Sequence, residues 1–152
     1  NVVVIGAGNA AMDVARTAVR KGSHHVTVYS ITEVPAASPK EVEYAKIDGV
    51  QFELLQTAIE IKDDGVMICD VEWTEDNQLI KHEETARFVP ADSIIISISQ
   101  GPQDRIVNRD KELQVDSKGL LKTNEKGETT MEGIFASGDV VTGAKTVVEA
   151  VK

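Results

Sequence analysis

The sequence has few of the residues on which several classes of protein depend. Its 152 residues include one cysteine and three histidines, so an internal disulfide is impossible and no spacing typical of metal ligands is present. No apolar run approaches the roughly 20 residues that a membrane-spanning helix requires. The first residues lack the basic lead-in of a secretory signal. The sequence therefore predicts a cytoplasmic protein without membrane contact.

Basic residues are also scarce. The chain has 16 Lys and Arg residues against 25 Asp and Glu residues, for a formal net charge of -9. Because nucleic-acid binding depends on clustered positive charge, nucleic-acid partners are excluded. With 41% hydrophobic and 27% charged residues, the composition is typical of a globular domain with its own core.

The first thirty residues have the pattern of a strand–helix–strand unit. Residues 2–5 are a continuous apolar run, which predicts a strand buried on both faces of a parallel sheet. Apolar residues at helical spacing then predict a helix over residues 9–21, which ends at Gly22. Residues 25–29 predict the second strand, so the unit has the expected size.

A second helix is predicted over residues 39–48. Ser38 is the expected N-cap, Pro39 fits the first helical position, and Glu41 would complete a capping box. Such a box predicts reciprocal hydrogen bonds between the Ser38 and Glu41 side chains and the backbone.

The middle of the chain alternates between apolar and polar residues. Residues 51–61, 65–74 and 79–89 are separated by turn residues and predict three antiparallel strands. Residues 93–99 predict one more buried strand. The fold class is therefore α/β, a Rossmann-like parallel sheet with an antiparallel three-stranded β-meander.

The last third of the chain is more polar. Residues 100–133 predict a surface excursion with short strands at residues 113–115 and 120–122. A strand at 134–136, a glycine turn and a helix from about Gly143 to the end are expected to follow.

Chemistry is concentrated in the turn after the first strand. Gly6-Ala7-Gly8-Asn9-Ala10-Ala11 matches the G-x-G-x-x-A pattern of dinucleotide-binding turns in the required position between strand and helix. Gly6 permits the tight turn, Gly8 lets the backbone approach a pyrophosphate, and Ala11 allows close packing of helix on strand. The alternative is a glycine-rich turn that serves packing alone.

The residue that reads the adenosine ribose should end the second strand. An acid is usual there for NAD and an arginine for NADP, but the strand ends Tyr29-Ser30-Ile31, and Glu33 follows closely. The Ser30 hydroxyl could bind a ribose hydroxyl or be a solvated turn serine, and the sequence leaves both open.

Several other side chains are better explained by structure than by chemistry. We expect a surface ion pair between Asp13 and Arg16, one helical turn apart, and a buried, unreactive thiol at Cys69. We expect His24 and His25 to be solvated in a turn. Trp73 and Phe88 are expected to pack within the meander.

Four segments together resemble the pyridine-nucleotide domain of the glutamate synthase small-subunit-like FAD-dependent oxidoreductases, within the pyridine nucleotide-disulfide oxidoreductase superfamily. They are "VVVIGAGNAAMDVARTAVRKG", "VTVYS", "SPKEVEYAKIDGV" and "GIFASGDVVTGAKTVVEAV". The resemblance covers essentially the whole chain. It implies that NAD(P)H passes hydride to FAD, and that electrons continue to an iron–sulfur domain or an electron-acceptor subunit.

The resemblance also assigns residues to cofactors. The nucleotide domain would be residues 1–99, and residues 100–152 would be a return segment that completes the FAD domain. The residues implied to bind NAD(P)H are Gly6, Gly8, Asn9, Ala10, Tyr29, Ser30, Ser99 and Gln100. Gly138 and Asp139 would lie against FAD, with the following helix directed at the flavin. Asp139 could instead be an Asx-type cap that needs no ligand.

Two departures from the family pattern bear on the cofactor. The arginine pair that often follows the Val-Tyr strand end and binds the NADP phosphate is replaced by Ser30-Ile31, which favours NADH slightly over NADPH. The family's "AIGQ-P" turn has Ser99 at its glycine position, where a side chain could restrict the approach of a cofactor, although Gly101 follows.

The chain begins inside the first motif, at the edge of a predicted buried strand. We therefore expect an inserted domain taken from a longer flavoenzyme, which by itself binds nucleotide weakly and catalyses nothing. The alternative is a Rossmann-like docking or regulatory module that no longer binds nucleotide.

Overall fold

The computed structural model describes residues 1–99, 101 and 112–151. The chain divides into two compact units, residues 1–99 and residues 100–152. The elements in chain order are β1 (Val2–Ile5), α1 (Asn9–Arg20), β2 (Val26–Ser30), α2 (Pro39–Ile47), β3 (Gln51–Leu54), β4 (Gln56–Lys62), β5 (Gly65–Trp73), β6 (Leu79–Pro90), β7 (Ser93–Ile96), α3 (Asp139–Thr142) and α4 (Val147–Val151).

The first unit contains two sheets. Four strands form a parallel sheet in the order β3-β2-β1-β7, and three form an antiparallel sheet in the order β4-β5-β6. The predicted α/β class with an antiparallel meander is confirmed.

One face of the parallel sheet is covered by α1. Side chains at alternate positions of a strand point to opposite faces, and small helix residues let the helix approach closely. The buried residues of this layer include Val4, Val26 and Val28 from the strands and Ala11, Met12 and Ala15 from α1.

The antiparallel sheet packs on the other face. Val3 and Tyr29 of the parallel sheet form a buried cluster with Val66 and Ile68 of β5. Cys69 of β5 is fully buried, as predicted, and burial raises the pKa of its thiol. β1 and β2 are thus enclosed on both sides, which explains their apolar sequences.

The prediction of one strand over residues 51–61 is wrong. Residues 51–54 pair in parallel with β2, whereas residues 56–62 pair antiparallel with β5. The change of sheet occurs at Leu55, whose φ of 53° lies in the left-handed region. A leucine there gives no local signal of a break, because that conformation favours glycine.

The capping box predicted at α2 is also wrong. Ser38 is the N-cap, but its side chain makes no capping hydrogen bond. The Glu41 carboxylate instead accepts a hydrogen bond from Arg16 of α1, 3.0 Å away. Arg16 also donates to Asp48 at 2.8 Å, so the expected pair with Asp13 is replaced by pairs that join α1 to α2.

Two predictions about aromatic and polar side chains have different outcomes. His24 and His25 are exposed, as expected for turn histidines. Trp73 and Phe88 were expected to pack within the meander, but they are 41% and 42% exposed. Each lies on the antiparallel sheet with one side open to solvent.

In the second unit, the strands predicted at 113–115, 120–122 and 134–136 are reduced to isolated bridges between Val115 and Leu121 and between Glu128 and Phe135. The single helix predicted from Gly143 is replaced by the short helices α3 and α4. Gly143 separates them, with a φ of 77° that ends α3. In the described part of the chain, no helix is long and apolar enough to cross a membrane.

Candidate functional site

The candidate site lies where the carboxyl ends of β1, β2 and β7 meet. The Gly6 N–H donates to the Tyr29 carbonyl at 2.9 Å, and the Ser97 N–H donates to the Ile5 carbonyl at 2.8 Å. Gly6 has a φ of 108°, and a Cβ there would overlap the Ser97 carbonyl group, whose carbon would be 2.8 Å away. Gly6 is therefore required by both its conformation and its neighbours.

Gly8 is different, because the protein leaves space beside it. It is the N-cap of α1 with a φ of -82°, and a Cβ built on it meets no described atom within 4 Å. No described side chain caps the helix, and its first turn carries no acidic residue. The first amides of a helix and its dipole favour an anion at such an end.

The next residues divide between packing and exposure. Ala11 is fully buried against the sheet, whereas Ala10 and Asn9 are exposed in the first turn. The Asn9 Oδ1 accepts a hydrogen bond from the Ser38 N–H at 2.8 Å. The Ala37 N–H donates to the Ala7 carbonyl at 2.9 Å, so two hydrogen bonds hold the start of α2 against the glycine turn.

Sequence reasoning missed this second role of Asn9. The Asn9 side chain supplies the acceptor that Glu41 was expected to provide at the N-cap of α2. No sequence pattern links residues 29 positions apart, and only the folded βα unit brings them together.

At the end of β2 the Ser30 side chain is buried, with 5% of the residue exposed. Its hydroxyl hydrogen-bonds with the Thr32 hydroxyl at 2.9 Å and accepts from the Thr32 N–H at 3.2 Å. The interpretation of Ser30 as a solvated serine is therefore wrong. The Tyr29 side chain is buried as well, and burial raises the pKa of its phenol.

A residue from the antiparallel sheet reaches the same place. The Trp73 Nε1–H donates to the Ile31 carbonyl at 2.7 Å, across 42 residues of sequence. Sequence reasoning assigned Trp73 to packing, and the only available signal was that it is the single tryptophan of the chain.

The turn after β7 completes the described site. Ser97 lies beside Gly6, and Ser99 is exposed two residues farther along. Gln100, the next predicted site residue, lies outside the described residues. The structure thus brings together the predicted residues of the glycine turn and of the end of β2, with the β7 turn beside them.

Gly138 and Asp139 lie in the second unit. Gly138 has a φ of 72° and is the N-cap of α3, and a Cβ there would be 3.1 Å from the Ala150 Cβ. The Asp139 Oδ1 accepts a hydrogen bond from the Lys145 N–H at 3.2 Å. Asp139 therefore bonds to the backbone between α3 and α4, six residues farther along the chain, and not two residues on as in an Asx turn.

Metal chemistry finds no support in the described ranges. Among residues 1–99, 101 and 112–151, no group of three or more His, Cys, Asp or Glu side chains is placed to hold an ion. What remains is a nucleotide-type turn at the carboxyl edge of a parallel sheet, the usual place for a ligand in open α/β folds.

Comparisons with known proteins find relatives over nearly the whole chain. The chain is 32% identical over 166 residues to the glutamate synthase [NADPH] small chain of Halomonas elongata, covering 99% of this chain and 35% of that protein. It is 32% identical over 164 residues to the NADP(+)-dependent formate dehydrogenase subunit beta of Moorella thermoacetica, covering 99% and 23%. The chain thus spans about a third or less of the length of these relatives.

The fold is shared with solved structures of thioredoxin reductases. The T. acidophilum protein matches with a TM-score of 0.79 at 19% identity, over 98% of this chain and 47% of that one. The Lactococcus lactis protein matches with a TM-score of 0.75 at 21% identity, over 99% and 48%. The family model described as pyridine nucleotide-disulphide oxidoreductase matches residues 1–152, so the chain belongs to that family.

Proposed function

We propose that the chain is the nicotinamide-dinucleotide-binding part of a flavin oxidoreductase, which positions NAD(P)H for hydride transfer to FAD. The observation that carries the proposal is the open space beside Gly8 at the start of α1. A turn that served packing alone would need glycine at position 6, where a Cβ would collide with Ser97. It would not need glycine at position 8, where a Cβ meets no described atom.

In this proposal the backbone amides of Gly8, Asn9 and Ala10 bind the pyrophosphate of the dinucleotide. Gly8 is the N-cap of α1, and Asn9 and Ala10 begin its first turn, where amides lack acceptors within the helix. The end of β2, at Tyr29 and Ser30, faces the adenosine. The turn that contains Ser99 and Gln100 borders the nicotinamide half.

FAD and further partners belong to the proposal for the longer protein. Residues 100–152 would complete an FAD domain, with Gly138 and Asp139 against the flavin cofactor. One Asp139 oxygen accepts from the Lys145 N–H, and the proposal assigns the second oxygen to a ribityl hydroxyl. The nicotinamide supplies the hydride and FAD accepts it, and an iron–sulfur domain or electron-acceptor subunit would follow. A chain without the rest of the FAD domain is expected to be inactive.

The first test separates nucleotide binding from folding. A Gly8→Val substitution places a side chain where the protein leaves room, at a φ of -82° that any residue can adopt. We expect the variant to fold like the wild type and to lose NADH affinity by about tenfold or more, because the pyrophosphate can no longer approach the backbone. Titration of the nicotinamide fluorescence measures the affinity, and thermal unfolding is the control.

Unchanged NADH affinity in a folded Gly8→Val variant would contradict the proposal. If the wild type binds neither NADH nor NADPH at millimolar concentration, the proposal fails. The second candidate function, a docking or regulatory module that no longer binds nucleotide, would then take its place. The hydrogen bonds that occupy the Ser30 hydroxyl are the observation on which that second candidate rests.

We further propose that NADH binds more tightly than NADPH, although curated relatives are named for NADPH. From Ser30 to Pro39 the sequence carries no basic residue, and Glu33 adds a negative charge near the expected 2′-phosphate. Paired titrations at two salt concentrations measure the preference. Tighter NADPH binding that weakens with salt would overturn it and would implicate Lys40 at the start of α2.

A further inference from the structure

We propose that Trp73, which the antiparallel sheet supplies, positions the adenine end of the dinucleotide. This inference rests on the proposed function, because it names a further residue of the same site. It concerns a part of the fold that lies outside both the glycine turn and the strand end to which nucleotide binding was assigned.

A hydrogen bond holds the Trp73 indole at the end of β2. The Trp73 Nε1–H donates to the Ile31 carbonyl at 2.7 Å. Ile31 directly follows Ser30, at the position where the ribose of a bound nucleotide is expected. This bond fixes the course of the chain after the strand and fixes the edge of the indole ring beside it.

The surface around this hydrogen bond is partly apolar. The Ser30 hydroxyl is already bound to Thr32. Ile31, Leu54 and Trp73 are each exposed by between 36% and 41%, and Leu54 pairs with Ser30 across the parallel sheet. The carboxyl edge of β2 and β3 therefore includes partly exposed apolar side chains.

A partly apolar surface beside an indole ring suits a flat aromatic ligand. Adenine is flat and aromatic, and it binds to apolar and aromatic side chains with few polar contacts. An indole whose N–H is already bonded keeps a fixed orientation and loses little conformational freedom on binding. Trp73 is thereby suited to stack with adenine or to form one wall beside it.

The experiment uses the fact that the chain contains a single tryptophan. Its indole N–H gives one side-chain resonance, which we would follow by NMR during titration with AMP, NMN and NADH. We expect AMP and NADH to shift this resonance and NMN, which lacks the adenosine, to leave it unchanged. The Gly8 amide is followed in the same spectra to report pyrophosphate binding independently.

Three substitutions complete the test. Trp73→Leu removes the ring and is expected to weaken AMP binding by about fivefold or more, since stacking on an aromatic side chain contributes at least that much. Trp73→Phe keeps a ring without the N–H and should lose less affinity. Phe88→Leu is the matched control, because Phe88 is equally exposed on the same sheet, and it should leave AMP affinity unchanged.

The outcomes distinguish the two proposals. NADH that shifts the Gly8 amide but not the indole resonance, with unchanged AMP affinity in Trp73→Leu, would overturn the role of Trp73 and leave the proposed function intact. If neither resonance responds to any nucleotide, the proposed function fails and the role of Trp73 fails with it. Should Trp73→Leu not fold, the indole resonance of the wild type still decides.

Discussion

At the scale of single residues, two glycines of one turn have different reasons to be glycine. A Cβ at Gly6 would overlap the Ser97 carbonyl at a positive φ, whereas a Cβ at Gly8 would meet open space. The sequence pattern assigned distinct roles to these glycines. The contact between Gly6 and Ser97 could not be predicted from the sequence, because the two residues follow different strands, β1 and β7.

This difference predicts opposite effects on stability. Gly6→Ala should lower the free energy of unfolding by about 2 to 5 kcal/mol, from backbone strain and from the collision with Ser97. Gly8→Ala should lower it by less than about 1 kcal/mol. Urea unfolding of both variants measures the effect. Equal losses of unfolding free energy in the two variants would contradict the close contact between Gly6 and Ser97.

Because of the ion pairs that join α1 to α2, we expect the stability of the folded protein to depend on pH. A hydrogen bond from Arg16, with a further one from Arg20, holds the pKa of the Asp48 carboxyl below its usual value. A carboxyl with a lowered pKa in the folded state stabilises that state above its unfolded pKa, and this contribution is lost as the pH falls through the folded pKa. Asp48→Asn should therefore be less stable than the wild type at pH 7, and the difference should shrink below about pH 4.

Unfolding by urea at several pH values checks this expectation. Asp13→Asn is the control, because Asp13 is an exposed acid on α1, the helix that carries Arg16, and the ion pairs of Arg16 are with Glu41 and Asp48. A stability difference for Asp48→Asn that persists unchanged at the lowest pH would contradict the assignment to Arg16.

At the scale of elements, β5 approaches β6 closely at Gly65. A Cβ at Gly65 would overlap the Val89 carbonyl oxygen and would lie 2.7 Å from the Phe88 Cζ. Phe88 can change its rotamer, but Val89 is held by pairing with Val66. We expect Gly65→Ala to destabilise the protein by about 1 to 3 kcal/mol.

A double variant tests the cause. Adding Phe88→Leu to Gly65→Ala should restore only part of the stability, because the Val89 carbonyl stays in place. Full recovery in thermal unfolding would show that the Phe88 ring was the sole obstacle.

Which elements could be predicted depends on how local their signals are. β1, α1 and β2 follow from an apolar run, a glycine turn and helical spacing, all within thirty residues. The division of residues 51–61 between two sheets could not be predicted, because it depends on a leucine in the left-handed conformation. The break at Gly143 had a visible glycine, but the sequence placed a helix start there instead of an end.

At the scale of the whole molecule, the two buried clusters lie within residues 1–99. They enclose β1 and β2 from opposite faces, and the glycine turn projects from the edge where the strands end. The contacts of Asn9 with Ser38 and of Trp73 with Ile31 join separate elements to that edge. Such contacts escape sequence reasoning, because each depends on how distant segments pack.

The central claim is that the start of α1 binds the pyrophosphate of a nicotinamide dinucleotide. The most direct test is a map of backbone amide chemical shifts during titration of the chain with NADH. We expect the largest shifts at Gly8, Asn9 and Ala10, with smaller shifts at Ser30. Shifts confined to other residues, or an absence of shifts at millimolar NADH, would contradict it.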